Sequence, residues 1–91
     1  MARTAVILRI TGLVHGVFFR ASMAELAASR GVTGWVRNMA DGSVQAFLEG
    51  EEEKVRRVVE WAKHGPPRAR VDSVKVEKVR LRNSKSFRIE G

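Results

Sequence analysis

The segment VTGWVRNMADGSVQAFLE, Val32 to Glu49, decides the fold. From Val32 to Met39, and again from Ser43 to Glu49, apolar and polar residues alternate with the period of a strand that buries one face. Ala40-Asp41-Gly42 separates the two runs, and the Asp-Gly pair supplies the positive-φ residue that a tight hairpin demands. Two antiparallel strands are therefore expected. Helical patterns flank them on both sides. Upstream, Phe19, Met23, Leu26, Ala27 and Arg30 recur at helical spacing and Gly31 supplies a stop, which predicts a helix over about 20–30. Downstream, Glu51-Glu52-Glu53 suits the positive end of a helix dipole, and Val55, Val58, Val59 and Ala62 form a stripe that ends near His64. Gly65-Pro66-Pro67 cannot continue that helix.

Further out, Val6, Leu8 and Ile10 share one face of a strand over Ala5–Thr11, with Arg9 and Thr11 on the other. A valine-rich strand is expected from Val71 to Leu81, and the slip of its apolar phase between Val76 and Val79 predicts a bulge or twist. Asn83-Ser84-Lys85 reads as a turn into a short last strand, Ser86 to Ile89, with Phe87 and Ile89 on one side. The order βαββαβ plus a terminal strand is that of an α+β, ferredoxin-like split βαβ sandwich, with one antiparallel sheet and both helices on a single face. One domain over residues 1–91 is expected from the length. The fold class hosts enzymes, RNA-binding modules and sensors alike, so function has to be read from the loops.

Composition narrows the chemistry. The 91 residues include no cysteine, which excludes a disulfide framework, a thiolate nucleophile and a Cys-ligated metal. Two histidines, His15 and His64, leave little for a multi-histidine metal site. Lys and Arg number 17 against 10 Asp and Glu, a net +7 that favours anionic partners without choosing among them. Residues 1–50 hold five basic against three acidic side chains and residues 51–91 twelve against seven, so a purely electrostatic partner would touch the C-terminal half. No apolar run approaches the roughly 18 residues of a membrane span, and Arg9 interrupts the short apolar stretch near the start. A cytoplasmic protein that contacts no membrane is expected.

The stretch Gly12 to Arg20, GLVHGVFFR, joins the first strand to the first helix. Successive backbone N–H groups in such a glycine-bearing turn, backed by a helix N-terminus, can converge into an anion-binding concavity. Arg20 then stands in the first helical turn, where the dipole disfavours a cation and an anionic ligand would remove that cost. The competing reading is a plain crossover loop with Arg20 as a surface cation, because short glycine-rich loops are weak motifs.

The residue pattern is more specific than the spacing. Ile10 to Arg20 resembles the first signature of the acylphosphatase family, G-x-V-Q-G-V-x-F-R, at Gly12, Val14, Gly16, Val17, Phe19 and Arg20. A second family signature stands in register at Gly34-Trp35-Val36-Arg37-Asn38, then Gly42, Val44 and Gly50, while GPPRARV and the closing SFRIEG are similar to the family as well. The resemblance implies the same ferredoxin-like fold and a metal-free, cofactor-free hydrolase of small acyl phosphates such as 1,3-bisphosphoglycerate, carbamoyl phosphate and benzoyl phosphate. It implies that Arg20 binds the phosphate, that the backbone of His15, Gly16, Val17, Phe18 and Phe19 forms the cradle, and that Asn38 orients the attacking water. One departure is His15, where the family usually has glutamine. If that side chain braces the loop through a hydrogen bond, an imidazole nitrogen can substitute, and activity would then titrate as imidazole protonation changes the donor and acceptor pattern.

Other readings stand beside these. Asn38 ends a strand, where asparagine commonly makes local turn bonds, although it shares a face with Val32, Gly34 and Val36 and opposes Trp35 and Arg37. Trp35 and Trp61 are expected to pack, Phe19 to belong to the helical stripe, and His64 to sit on the surface near a helix end. The cations of residues 54–88 alternate with acids and read as solvated faces. Were the end of the last strand near the loop, the carboxylate of Gly91 could pair with Arg20. A monomer that releases inorganic phosphate and binds no nucleic acid is expected; the alternatives are a nucleic-acid-binding module driven by the net charge, or a phosphate sensor without turnover.

Overall fold

The computed structural model describes residues 2–90. Its elements follow the order β1 (Arg3–Leu13), α1 (Phe19–Arg30), β2 (Thr33–Asn38), β3 (Val44–Glu51), α2 (Glu52–Ala62), β4 (Arg70–Lys78) and β5 (Phe87–Glu90). The five strands form one sheet in the order β4-β1-β3-β2-β5. Interior β1 pairs antiparallel with β3, setting Leu8 opposite Ala46, and with β4, setting Leu8 opposite Val76.

Alternation places Val6, Leu8 and Ile10 of β1, Val44, Ala46 and Leu48 of β3 and Val36 of β2 on one face. Phe19, Met23 and Ala27 of α1 and Val55, Val58 and Ala62 of α2 pack onto that face, so both helices share it and the core lies between. This is the α+β, ferredoxin-like sandwich that the element order predicts. The hairpin also stands as expected, with Asn38 opposite Val44 and the Met39 N–H on the Ser43 carbonyl at 2.8 Å.

Two details differ from the expectation. First, β4 ends at Lys78 with no bulge between Val76 and Val79; the Val79 N–H still reaches the Ala5 carbonyl, and then the chain leaves the sheet. The register irregularity lies instead between Thr11 and Gly12, which face Ser73 and Val71 and leave Asp72 as the extra residue. A side chain at Gly12 would place its Cβ 2.1 Å from the Arg70 carbonyl oxygen, which explains the glycine.

Second, the sheet is mixed: β5 runs parallel to β2, with Val36 opposite Ile89. The connection from β4 starts at one edge, crosses the face away from the helices and arrives at the other edge running with β2. A carboxylate holds it there. Glu49 is buried on that face and accepts the N–H groups of Arg82, Asn83 and Ser84 at 2.8–2.9 Å. Arg82 also lays its guanidinium 4.6 Å over the ring of buried Phe47. Burial pushes the Glu49 carboxyl up, but the three N–H donors, from Ser84, Asn83 and Arg82, and the charge of Arg3 outweigh it and hold the group below its ordinary value. Phe87 packs against the core and Ile89 follows on the same side of β5, at the end of the molecule where α1 begins.

Candidate active site

Between β1 and α1 the chain alternates between buried and exposed residues. Val14, Val17 and Phe19 are buried and fasten the loop to the core, while Gly16 and Phe18 face outward. Both outward residues adopt positive φ, 70° at Gly16 and 65° at Phe18, and helical Phe19 follows. Positive φ at every second residue is compatible with backbone N–H groups turning toward one side of a loop. A Cβ at Gly16 would meet nothing within 4 Å, so the glycine serves the backbone angle and not close packing. Phe18 holds the corresponding angle with a full side chain. The first turn of α1 adds further N–H groups that no helical carbonyl can reach.

Arg20, the second residue of α1, lines a cavity of about 260 Å³ together with Gly16, Phe18, Phe19, Asn38 and Ile89. Residues separated by 18 positions in the sequence thus meet at one hollow. Asn38 enters from the end of β2, and its Oδ1 is buried with no hydrogen-bond partner among the described residues. An unsatisfied buried amide is costly, and a water or ligand hydrogen in the cavity would satisfy it. The opposite face of β2 is occupied otherwise: the Arg37 guanidinium lies 4.7 Å over the Trp35 ring, which packs on Phe47. Trp61 packs against Phe19 with ring centroids 5.1 Å apart. Both tryptophans are packing residues, as the sequence suggests. His64 is exposed beside the C-terminus of α2, also as expected.

His15 joins the two halves of the hollow. Its Nε2 lies 2.8 Å from the carbonyl oxygen of Ser43, the same oxygen that accepts the Met39 N–H of the hairpin bearing Asn38. A carbonyl only accepts, so Nε2 donates. The imidazole thereby ties the loop to the hairpin through one hydrogen bond. On the far side of Ser43, the N–H and Oγ–H donate to Asp41 Oδ1 at 2.9 and 2.6 Å, and Arg9 bonds the other carboxylate oxygen. The Ser43 hydroxyl and N–H, helped by Arg9, lower the Asp41 carboxyl to about 2. The hairpin turn that presents Asn38 is therefore tied down at Asp41 and at His15.

Arg20, Asn38 and the 15–20 segment are the residues singled out from the sequence, and the structure gathers Arg20, Asn38, Gly16, Phe18 and Phe19 around one cavity. Val17 is turned into the core, and His15 bonds the Ser43 carbonyl. Sequence reasoning missed Ile89, whose phase with Phe87 was visible, and missed Ser43, which participates through a backbone oxygen that no side-chain pattern reveals. Gly91 lies outside the described residues, although Ile89, two positions earlier, reaches the cavity that holds Arg20. Among the described residues, no group of three His, Asp or Glu side chains converges as metal ligands would.

The fold and the site place the chain among small α+β, ferredoxin-like sandwiches with a cavity shared by the first strand-to-helix loop and the end of the hairpin. Comparisons with known proteins specify which one. The acylphosphatase family model matches residues 6–89. An acylphosphatase of Pyrobaculum islandicum is 58% identical over 71 residues, covering 77% of this chain and 75% of that protein. One from Thermococcus kodakarensis is 45% identical over 91 residues, the whole length of both. The solved structure of an acylphosphatase from Coxiella burnetii superposes with a TM-score of 0.93 at 34% identity, covering 97% of this chain and 93% of that one. The chain belongs to the acylphosphatase family. Its activity is the hydrolysis of acyl phosphates.

Proposed function

We propose that Arg20 and the backbone N–H groups of residues 15–19 hold the phosphoryl group of a small acyl phosphate, and that Asn38 orients the water that attacks it. The observation that carries this assignment is the single cavity shared by Gly16, Arg20 and Asn38, into which the Asn38 amide brings an unsatisfied oxygen. An acyl phosphate is a mixed anhydride whose leaving group is a carboxylate, already a weak base, so expulsion needs no general acid. Charge spreads over the equatorial phosphoryl oxygens in the transition state, where positioned N–H donors and the planar Arg20 fork act on it. Asn38 holds a water by its amide and takes no proton; an oxygen of the substrate phosphate receives it. Water adds to phosphorus, the bond from phosphorus to the bridging oxygen breaks, and carboxylate and inorganic phosphate leave.

The same chemistry supports catalysis without a metal or other cofactor, since Arg20 supplies the positive charge. Support for a monomer comes from β4, an edge strand whose exposed Arg70, Asp72, Lys75, Glu77 and Lys78 oppose edge-to-edge pairing. A cytoplasmic location follows the substrate, because a charged acyl phosphate does not cross membranes and is met where it is made. The test is hydrolysis of benzoyl phosphate in excess chelator by wild type, Arg20→Ala and Asn38→Ala. Each substitution is expected to lower kcat by about 10² to 10³. Full activity in both variants, or wild-type activity that needs an added metal, would overturn the assignment.

A further inference from the structure

We propose that the Phe18 side chain is a specificity-determining contact for the acyl half of the substrate, selecting acyl phosphates that carry an apolar ring or branched chain at the carbonyl. The inference rests on the assignment of Arg20 and the 15–19 backbone to the phosphate. Two features of Phe18 are unfavourable for folding. Its φ of 65° is one that bulky L residues rarely adopt, and its side chain is 72% exposed. Glycine would hold that angle without strain, as it does two residues earlier at Gly16. Burial of the ring does not offset the strain, because the neighbours Val17 and Phe19 enter the core and Phe18 points away from it.

Its position gives the ring a use. Phe18 lines the cavity that holds Arg20 and Asn38, and a second large apolar residue, Ile89, lines the same cavity while remaining 50% exposed. A hollow of about 260 Å³ is small, so a substrate whose phosphate sits at Arg20 carries its acyl group within reach of these walls. The phosphate and acyl group are covalently joined, which fixes the occupant of the apolar side once the phosphate is placed. Among the described residues lining the cavity, Arg20 is the one ionisable group. With that cation committed to the transferred phosphate, an acyl chain bearing a second phosphate finds no further cation there. An aromatic or branched acyl group finds the Phe18 ring.

The experiment compares kcat/KM for benzoyl phosphate with that for acetyl phosphate in wild type, Phe18→Gly, Phe18→Asn and Phe18→Leu, with the inhibition constant of inorganic phosphate measured in each. Glycine and asparagine both tolerate the positive φ, so neither adds strain. The benzoyl-to-acetyl ratio is expected to fall about three- to tenfold in Phe18→Gly and Phe18→Asn, the span of one lost aromatic contact, and to recover at least partly in Phe18→Leu. A ratio unchanged in both Phe18→Gly and Phe18→Asn overturns the inference. So does a loss of equal size on both substrates accompanied by weaker phosphate inhibition, which would make the ring a support for the cradle. Failure of the underlying assignment looks different: wild type would hydrolyse neither compound, or Arg20→Ala would hydrolyse both at the wild-type rate.

Discussion

Replacing His15 tests whether its imidazole braces the site. The bond removed by His15→Ala is one hydrogen bond of 2.8 Å to the Ser43 carbonyl, and that oxygen keeps its second donor, the Met39 N–H. No buried acceptor is orphaned, so the stability cost belongs near the low end of the usual range, about 0.5–1 kcal/mol. For a chain of 91 residues this is a fall in Tm of roughly 2–8 °C. The catalytic cost should be larger in proportion. The cradle hangs from β1 and α1 while Asn38 hangs from the hairpin, and the imidazole ties the two together. A relative displacement near 1 Å costs on the order of 10²-fold in an oriented reaction, so His15→Ala is expected to lose about 10- to 100-fold in kcat/KM for benzoyl phosphate. His15→Gln offers an amide N–H to the same carbonyl and should stay within about threefold of wild type. Steady-state kinetics with thermal melts of each variant decide the matter. A His15→Gln enzyme as impaired as His15→Ala would refute the bracing role.

Three further outcomes are expected. Glu49→Gln replaces an acceptor of three N–H groups with an amide that carries donors of its own, and should destabilise the protein by about 2–4 kcal/mol in urea titrations. The folded Glu49 carboxyl lies below its ordinary 4.5, so its contribution is complete above that pH and is lost as pH falls through the lowered folded value; an acid-stability profile unaltered in Glu49→Gln would count against the strap. Asp41, lowered from 3.8 to about 2, follows the same sign: its hold on the hairpin is full above pH 3.8 and lost as pH approaches 2, so amide chemical shifts of Ser43 should titrate there in wild type and not in Asp41→Asn. Gly34→Ala would bring a Cβ to 1.8 Å from the Phe47 carbonyl oxygen at a φ of +136°, and should cost about 3 kcal/mol or more; a loss under 0.5 kcal/mol in the same titration would contradict the strand geometry.

Most of the fold was legible because β1, the hairpin and the two helices each bury one periodic face, and periodicity is a local signal. What escaped is non-local. Val79 and Leu81 continue a strand-like composition after Lys78, yet the chain turns away there because its next partner is the Glu49 carboxylate on a different strand. Glu49 itself sits at a polar phase of β3 and reads as a solvated side chain, so neither its burial nor the parallel placement of β5 could be seen. Arg20 and Asn38 were legible from their motifs. Their meeting at one cavity was not, because it depends on the loop and the hairpin being held together through a backbone carbonyl.

The placement of β1 between β3 and β4 has a consequence for how the molecule is made. Arg3 to Ile10 are synthesised before both of their ladder partners, Val44 to Glu51 on one side and Val74 to Lys78 on the other. The apolar run Ala5 to Leu8 therefore waits with both edges open until β3 is made and with one edge open until β4 is, and no early hairpin can shelter it. Closing contacts over such separations slows folding and leaves the nascent strand exposed to other unpaired chains. β1 thus keeps one edge open until Val74 to Lys78 are made, and the most vulnerable interval of that strand precedes the completion of the hollow by Ile89.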